Sequence, residues 1–141
     1  MLNKDINIDI LNKNSQNSMS GYLGIEITEV GEDYICGKMP VDYRTMQPFG
    51  ILHGGASVVL AETLGSIGSA YMVDQEKYRC VGLDINANHI RPIKEGYVYG
   101  KAVPVHIGRT THIWEIKITN KEGKIVNISR LTMAVVSIDK I

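Results

Sequence analysis

Apolar residues along this chain switch repeatedly between helical and strand spacing, and each switch marks an element. In "INIDILNKNS", Ile6, Ile10 and Leu11 recur at roughly helical intervals, which predicts a short helix inside an N-terminal helical segment spanning residues 1–20. "YLGIEITEV" and "DYICGKMPV" read as two strands joined through the turn "GED", a hairpin pattern. "YRTMQPFGIL" is irregular, with Pro48 and Gly50 interrupting regular structure. From His53 to about Val73 the chain is free of proline, and Val58, Val59, Leu60, Leu64, Ile67, Tyr71 and Met72 are spread round a helical wheel. A helix that is apolar on most sides is buried. Its small residues, Ala56, Ser57, Ala61, Gly65, Ser66, Gly68 and Ser69, are expected to let other backbones come close.

What surrounds that helix follows it. "CVGLDINANHI" alternates, with Val81, Leu83, Ile85 and Ala87 on one face and Asp84, Asn86 and Asn88 on the other. "GYVYGKAVPVHI", "THIWEIKIT" and "KIVNISRLTMAVVSI" supply three more strands, joined by "GRT" and "NKEGK" turns. The expectation is an α+β fold in one domain, residues 1–141: about six antiparallel, mostly meandering strands around one long helix.

One residue does not belong to this pattern. Glu62 sits in the middle of "QPFGILHGGASVVLAETLGSIGS", where a buried and unpartnered carboxylate costs several kcal/mol. Ser66 at i+4 and Ser69 at i+7 share its stripe, with Thr63 beside them, so the helix is expected to turn one polar line toward a wet or reactive surface. The other reading is local: the serines bond back to carbonyls one turn earlier and Glu62 finds a lysine. The helix start, "HGG", offers backbone N–H groups without intrahelical acceptors, and glycine there lets a ligand approach. Gly54 and Glu62 are about 12 Å apart along the axis at the α-helical rise. If both act on one carbonyl, they come from two copies of the helix running antiparallel across a two-fold axis.

Composition narrows the classes. The chain has 141 residues, 44% apolar and 21% charged, an ordinary globular balance. Fifteen Lys and Arg balance fifteen Asp and Glu, so no basic excess points to nucleic acid or an anionic membrane. No apolar run is long enough to span a bilayer and the N-terminus does not read as a signal peptide, so a cytoplasmic protein is expected. Cys36 and Cys80 read as buried, reduced thiols, with a disulfide unsupported. The four histidines show no metal-ligand spacing, and no nucleophile elbow or Ser-His-Asp arrangement is present. No metal or cofactor is expected.

"MPVDYRTMQPFGILHGGASVVLAETLGSIGS", "VGLDINANHIRP" and "HIGRTTHIWEI" together resemble the hotdog-fold acyl-CoA thioesterases of the phenylacetate-degradation type. The resemblance runs from about Gly21 to near the C-terminus. It is strongest to the branch holding the 1,4-dihydroxy-2-naphthoyl-CoA hydrolase of menaquinone synthesis and the proofreading thioesterase of enterobactin synthesis. It implies a long helix in a curled antiparallel sheet of five to six strands, and a homo-oligomer, dimer or dimer of dimers, with sites at subunit interfaces. It further implies that Glu62 is the catalytic carboxylate and that Gly54 donates its N–H to the thioester oxygen. Gln47 and His53 would order that loop and the water, while Thr63 and Ser66 line the acyl pocket. Coenzyme A, as part of the substrate, would lie along Gly82, His89, Ile90, Arg91, Pro92, His106, Ile107, Gly108, Arg109, Thr110 and Thr111. Arginines at strand ends suit its phosphates, and Gly82 within a strand suits close approach of a ligand chain. His112 is expected to face solvent or pack beside Trp114.

A thioester is an activated carbonyl with a good leaving group, so a carboxylate and an oxyanion site suffice to hydrolyse it. An aromatic acyl-CoA, foremost 1,4-dihydroxy-2-naphthoyl-CoA, is the expected substrate by resemblance, with an aryl or acyl carrier-protein thioester as the alternative. A hotdog hydratase or dehydratase would carry a histidine and an acid about an "HFPG"-like turn, which is missing here. A non-catalytic acyl-CoA-binding module would have lost the carboxylate or gained a DNA-binding segment.

Overall fold

The computed structural model describes residues 5–140. Two short helices, α1 (Ile8–Asn14) and α2 (Met19–Tyr22), precede the hairpin β1 (Glu26–Val30) and β2 (Ile35–Pro40). The long helix α3 (Gly54–Ala70) follows, then β3 (Tyr78–His89), β4 (Tyr97–Ile107), β5 (Thr111–Thr119) and β6 (Ile125–Ser137). All six strands join one antiparallel sheet, and α3 lies against β2, β3, β4, β5 and β6. This is the α+β hotdog layout. No helix among the described residues is long and apolar enough to cross a membrane.

The strand order is β1-β2-β4-β5-β6-β3: β1–β2 and β4–β5–β6 keep the mostly meandering order expected, and β3 departs from it. A meander would seat β3 between β2 and β4. Instead α3 crosses the sheet and delivers the chain beyond β6, so β3 becomes an edge strand that, among the described residues, pairs only with β6. The core is set by period-two burial: on β5, His112, Trp114, Ile116 and Ile118 face α3 while Glu115 and Lys117 are exposed. On α3, Ser57, Leu60, Ala61, Leu64, Gly65, Gly68 and Ser69 make the buried face. Its glycines admit side chains, not the backbones expected. A Cβ on Gly65 would meet Leu131, and one on Gly68 would stand 2.6 Å from the Trp114 ring.

Strand β3 departs from clean alternation. Gly82 pairs with Met133 and Asp84 with Thr132, so Leu83 is an extra, bulged residue. The bulge flips the facing parity. Cys80 precedes it and Ile85 follows it on the core side, while Val81 and Leu83 are exposed at 41% and 64%. The expected shared face of Val81, Leu83, Ile85 and Ala87 is therefore split in two.

The N-terminal segment is tied down by hydrogen bonds more than by burial. Asn12 on α1 accepts from the Ile27 N–H at 2.8 Å and donates to the Ile27 carbonyl at 3.0 Å, pairing its amide with β1 as a strand would. On α2, Ser20 Oγ lies 3.2 Å from Thr63 Oγ1 on α3.

Candidate active site

The start of α3 is held from two sides. The His53 N–H donates to the Thr45 carbonyl and the Leu52 N–H to the Ile93 carbonyl, each at 2.8 Å. His53 is the N-cap, and its Nδ1 accepts the Gly55 N–H at 2.8 Å. That leaves the Gly54 N–H without an acceptor among the described residues, at the positive end of a 17-residue helix. The His89 ring lies against Gly54: a Cβ there would stand 2.8 Å from both Cε1 and Nε2. Gln47 turns its Oε1 onto the Phe49 N–H and keeps its amide NH2 for other partners. Gln47, Gly54, Ser57, His89, Ile90, Arg91 and Pro92 line one cleft of about 340 Å³. An unpaired backbone N–H in such a cleft can stabilise a developing oxyanion.

Glu62 stands two turns further along α3, half-buried, and lines a second cleft of about 380 Å³. Thr63, Ser66, Val59 and Ile67 share its helix face there, and Ser15, Met19 and Ser20 form the opposite wall. Among the described residues its carboxylate has neither an ion pair nor a hydrogen bond, so the local reading, in which a lysine absorbs it, does not apply. Its Oε1 rests against β3, 2.8 Å from where a Cβ on Gly82 would be. The glycine at the bulge is what leaves room for the acid. Ser66 donates to Met133 Sδ at 3.7 Å, a weak contact that leaves the hydroxyl on the cleft wall.

Ser69 does not line this cleft. It is fully buried, accepts from Trp114 Nε1 at 2.7 Å and lies 3.0 Å from His112 Nδ1. Since Trp114 uses Ser69 as acceptor, the serine's own hydrogen is free for His112. Ser69 lies about 10 Å further along the axis than Glu62, where Trp114 and His112 of β5 cover that side of α3. His112 is thus buried beside Trp114 and does not face solvent. Burial holds its pKa below the ordinary imidazole value, with His106 adding to the effect and a bond to the Gly108 backbone opposing it.

Among the described residues the two clefts share none, and strand register separates the other candidates in the same way. His89, Ile90, Arg91 and Pro92 stand at the Gly54 end, where Arg91 Nη1 also donates to the Ile125 carbonyl at 2.6 Å. His106 to Thr111 form the β4–β5 turn. Met133, which pairs with both Gly82 and His112, brings that turn to the Glu62 end. Arg109 and Thr110 are exposed there, and the Gly108 N–H closes the turn on the Thr111 carbonyl at 2.9 Å. Cys36 and Cys80 are free, half-buried thiols with pKa values raised first by burial.

Sequence reasoning missed the second wall of the Glu62 cleft, because Ser15, Met19 and Ser20 lie in a polar segment without a sharp period. It also missed Asn127 and Ser129, two buried polar residues of β6 beside His89. Their signal was present: both occupy the alternating positions that continue as Leu131 and Met133 in the core.

Against known proteins, the thioesterase superfamily profile matches residues 49–127. The 1,4-dihydroxy-2-naphthoyl-CoA hydrolase of Escherichia coli K12 is 44% identical over 132 residues, covering 94% of this chain and 96% of that protein. The crystal structure of a thioesterase variant from Pseudomonas aeruginosa superposes with a TM-score of 0.95 at 47% identity, covering 97% of this chain and 99% of the other. A thioesterase from Haemophilus influenzae gives 0.92 at 48% identity, with 96% and 94% covered.

Proposed function

Because this chain belongs to the thioesterase superfamily and is a thioester hydrolase, we propose that it cleaves aromatic acyl-CoA thioesters in a site shared by two subunits, with Glu62 of one facing Gly54 of the other. The observation that carries this reading is the separation of the parts. The free N–H at Gly54 and the unpaired carboxylate of Glu62 line different clefts of one protomer, so a single copy presents two half-sites.

The edge strand supplies the means of joining them. β3 is twelve residues long, exposes Val81 and Leu83, and has one edge without a strand partner among the described residues. Such an edge is a template for pairing with another chain. Two copies meeting antiparallel at β3 run their α3 helices in opposite directions, which turns the Gly54 end of one toward the Glu62 end of the other. Two identical sites result, and pairs of dimers remain open to further association.

In the proposed reaction the thioester oxygen sits at the Gly54 N–H. Glu62 either attacks the carbonyl carbon or takes a proton from an attacking water. The new C–O bond forms, to the water or to the Glu62 carboxylate, the C–S bond breaks, and coenzyme A leaves as a thiolate that takes the proton given up by water. Where Glu62 attacks, a water then cleaves the mixed anhydride and restores the carboxylate. Gln47 and the His53-capped loop order the Gly54 side, and the arginines of the two strand ends, Arg91 and Arg109, suit the nucleotide phosphates. On the acyl side, Met19, Val59 and Ile67 offer apolar contact while Ser15, Ser20, Thr63 and Ser66 offer hydroxyls. That mixture favours a flat ring carrying hydroxyl groups, and 1,4-dihydroxy-2-naphthoyl-CoA is the substrate of the E. coli relative.

Thiol release from a panel of acyl-CoA and aryl carrier-protein thioesters tests the proposal. Wild type is expected to favour hydroxylated aromatic acyl-CoAs. Glu62→Gln should lower kcat about 10³-fold, within the span general-base groups contribute, while the oligomer stays intact. Full turnover by Glu62→Gln would remove the carboxylate from the mechanism.

A further inference from the structure

Behind His89 lies a buried polar pair that the reaction as described does not use. Asn127 on β6 is the direct cross-strand partner of His89 on β3, and Ser129 is the next residue on the same face. Asn127 is 0% exposed and Ser129 1%. Such groups are costly to bury unless each hydrogen bond is made. Ser129 Oγ donates to Asn127 Oδ1 at 2.6 Å, and Asn127 Nδ2 lies 3.0 Å from His89 Nδ1.

The polarity of this chain has a chemical consequence. An amide NH2 can only donate, so once Ser129 occupies Oδ1, the group facing His89 is a donor. His89 Nδ1 must then be the bare, accepting nitrogen, and in the neutral ring the proton resides on Nε2. The Cε1–Nε2 edge is the part of the ring that lies against Gly54, and His89 and Gly54 line the same cleft.

We propose that Asn127 and Ser129 are positioning residues that lock His89 in its Nε2–H tautomer, so that His89 joins the Gly54 N–H as a second donor to the thioester oxygen. This rests on Gly54 being the oxyanion site. Serine sets the amide, the amide sets the imidazole, and the imidazole presents a hydrogen where negative charge develops. A donor fixed in advance requires no reorganisation during the reaction, which is the source of its effect.

The test reads the tautomer and the rate separately. Long-range proton–nitrogen correlation spectra of the 15N-labelled protein, recorded about two pH units above the ordinary histidine value, report which ring nitrogen carries hydrogen. Signals are assigned by their loss in His89→Gln. Wild type should show Nε2–H. Asn127→Asp keeps the shape but replaces the donor by an acceptor, so His89 should gain a proton on Nδ1. Turnover should fall about 10²-fold, the loss of one oxyanion donor, with KM changed less than threefold. Ser129→Ala frees the amide to rotate, and should give a mixture of tautomers with kcat lowered about tenfold. Should Asn127→Asp not fold, the wild-type spectrum and Ser129→Ala decide.

An Nδ1–H tautomer in wild type overturns the proposal. So does a variant that switches the tautomer while keeping its turnover. Failure of the Glu62 reading shows elsewhere, as activity retained in Glu62→Gln, and leaves the His89 spectrum untouched.

Discussion

Replacing Gly82 with alanine separates the position of the Glu62 carboxylate from its mere presence. The added Cβ would stand 2.8 Å from Glu62 Oε1 and 3.4 Å from Cδ. Ordinary carbon–oxygen contact requires the nearer oxygen to retreat by about half an ångström. The atom that must move is the free end of a flexible side chain lining an open cleft, so the fold has little to lose. The melting temperature should stay within about 2 °C of wild type. Catalysis is less tolerant, because a misplacement of about 1 Å can cost about 10²-fold. Half of that predicts roughly a tenfold fall in kcat.

Steady-state thiol release and thermal unfolding, measured on the same preparation, give both quantities. A double-mutant cycle sharpens the test, since Glu62→Asp draws the carboxylate back from β3. In that background Gly82→Ala should cost almost nothing further, and the two changes should be strongly non-additive. Wild-type turnover by a folded Gly82→Ala protein would mean that the acid does not work from its seat beside the bulge. A large loss of thermal stability would mean that the Cβ disturbs the bulge itself.

Three further outcomes follow from other parts of the molecule. Ser69→Ala strips the partner from Trp114 Nε1 and His112 Nδ1 in the core; it should cost about 2 kcal/mol, seen as a denaturant midpoint shift, with kcat retained. His112, its pKa depressed by burial, binds fewer protons when folded than when unfolded. Folding stability should therefore decline as pH drops below about 6.5 toward that depressed value, and His112→Gln should flatten this slope in urea titrations between pH 8 and pH 5 (approximate limits set by imidazole titration). An unchanged slope would refute the assignment. Leu83→Arg, on the exposed bulge of β3, should weaken self-association in light scattering and lower turnover in parallel; a monomer with full activity would contradict a shared site.

The elements were legible because their periods are strong: β5 alternates without fault, and α3 runs from Gly54 to Ala70 much as the apolar spacing predicts. Strand order was not, since a meander and a crossover obey the same local periods and differ only in where α3 delivers the chain. The β3 bulge was hidden for a related reason. "VGLDINA" alternates perfectly as letters, and a single unpaired residue, Leu83, reverses the facing of everything after it. In the site, Glu62 stood out as a charge in an apolar run, and Gly54 as a glycine at a helix start. Ser69 was misplaced because an i+7 step returns to within about 20° of the same stripe but lies about 10 Å further along the axis, where Trp114 and His112 of β5 cover the helix.

The same bulge ties fold and chemistry together. Without it, the residues facing α3 from β3 would keep even numbers, and His89 would turn away from Gly54. With it, Gly82 and His89 both face the helix, although their numbers differ in parity: one clears space for the acid and the other closes on the helix start. The bulge also places Leu83 outside the ladder with β6, on the strand whose outer edge has no strand partner among the described residues. One inserted residue thus sets three things at once: the seat of Glu62, the approach of His89 to Gly54, and an apolar knob on the edge proposed to join two copies. Deleting Leu83 removes only the unpaired residue and leaves Gly82 on Met133, Asp84 on Thr132 and His89 on Asn127. Gly82 and His89 should both still face α3 while the apolar knob is lost, and turnover should fall only as far as self-association does. A deletion protein that still associates but has lost all hydrolysis would show that the site needs the local twist of the bulge and not only the facing of Gly82 and His89.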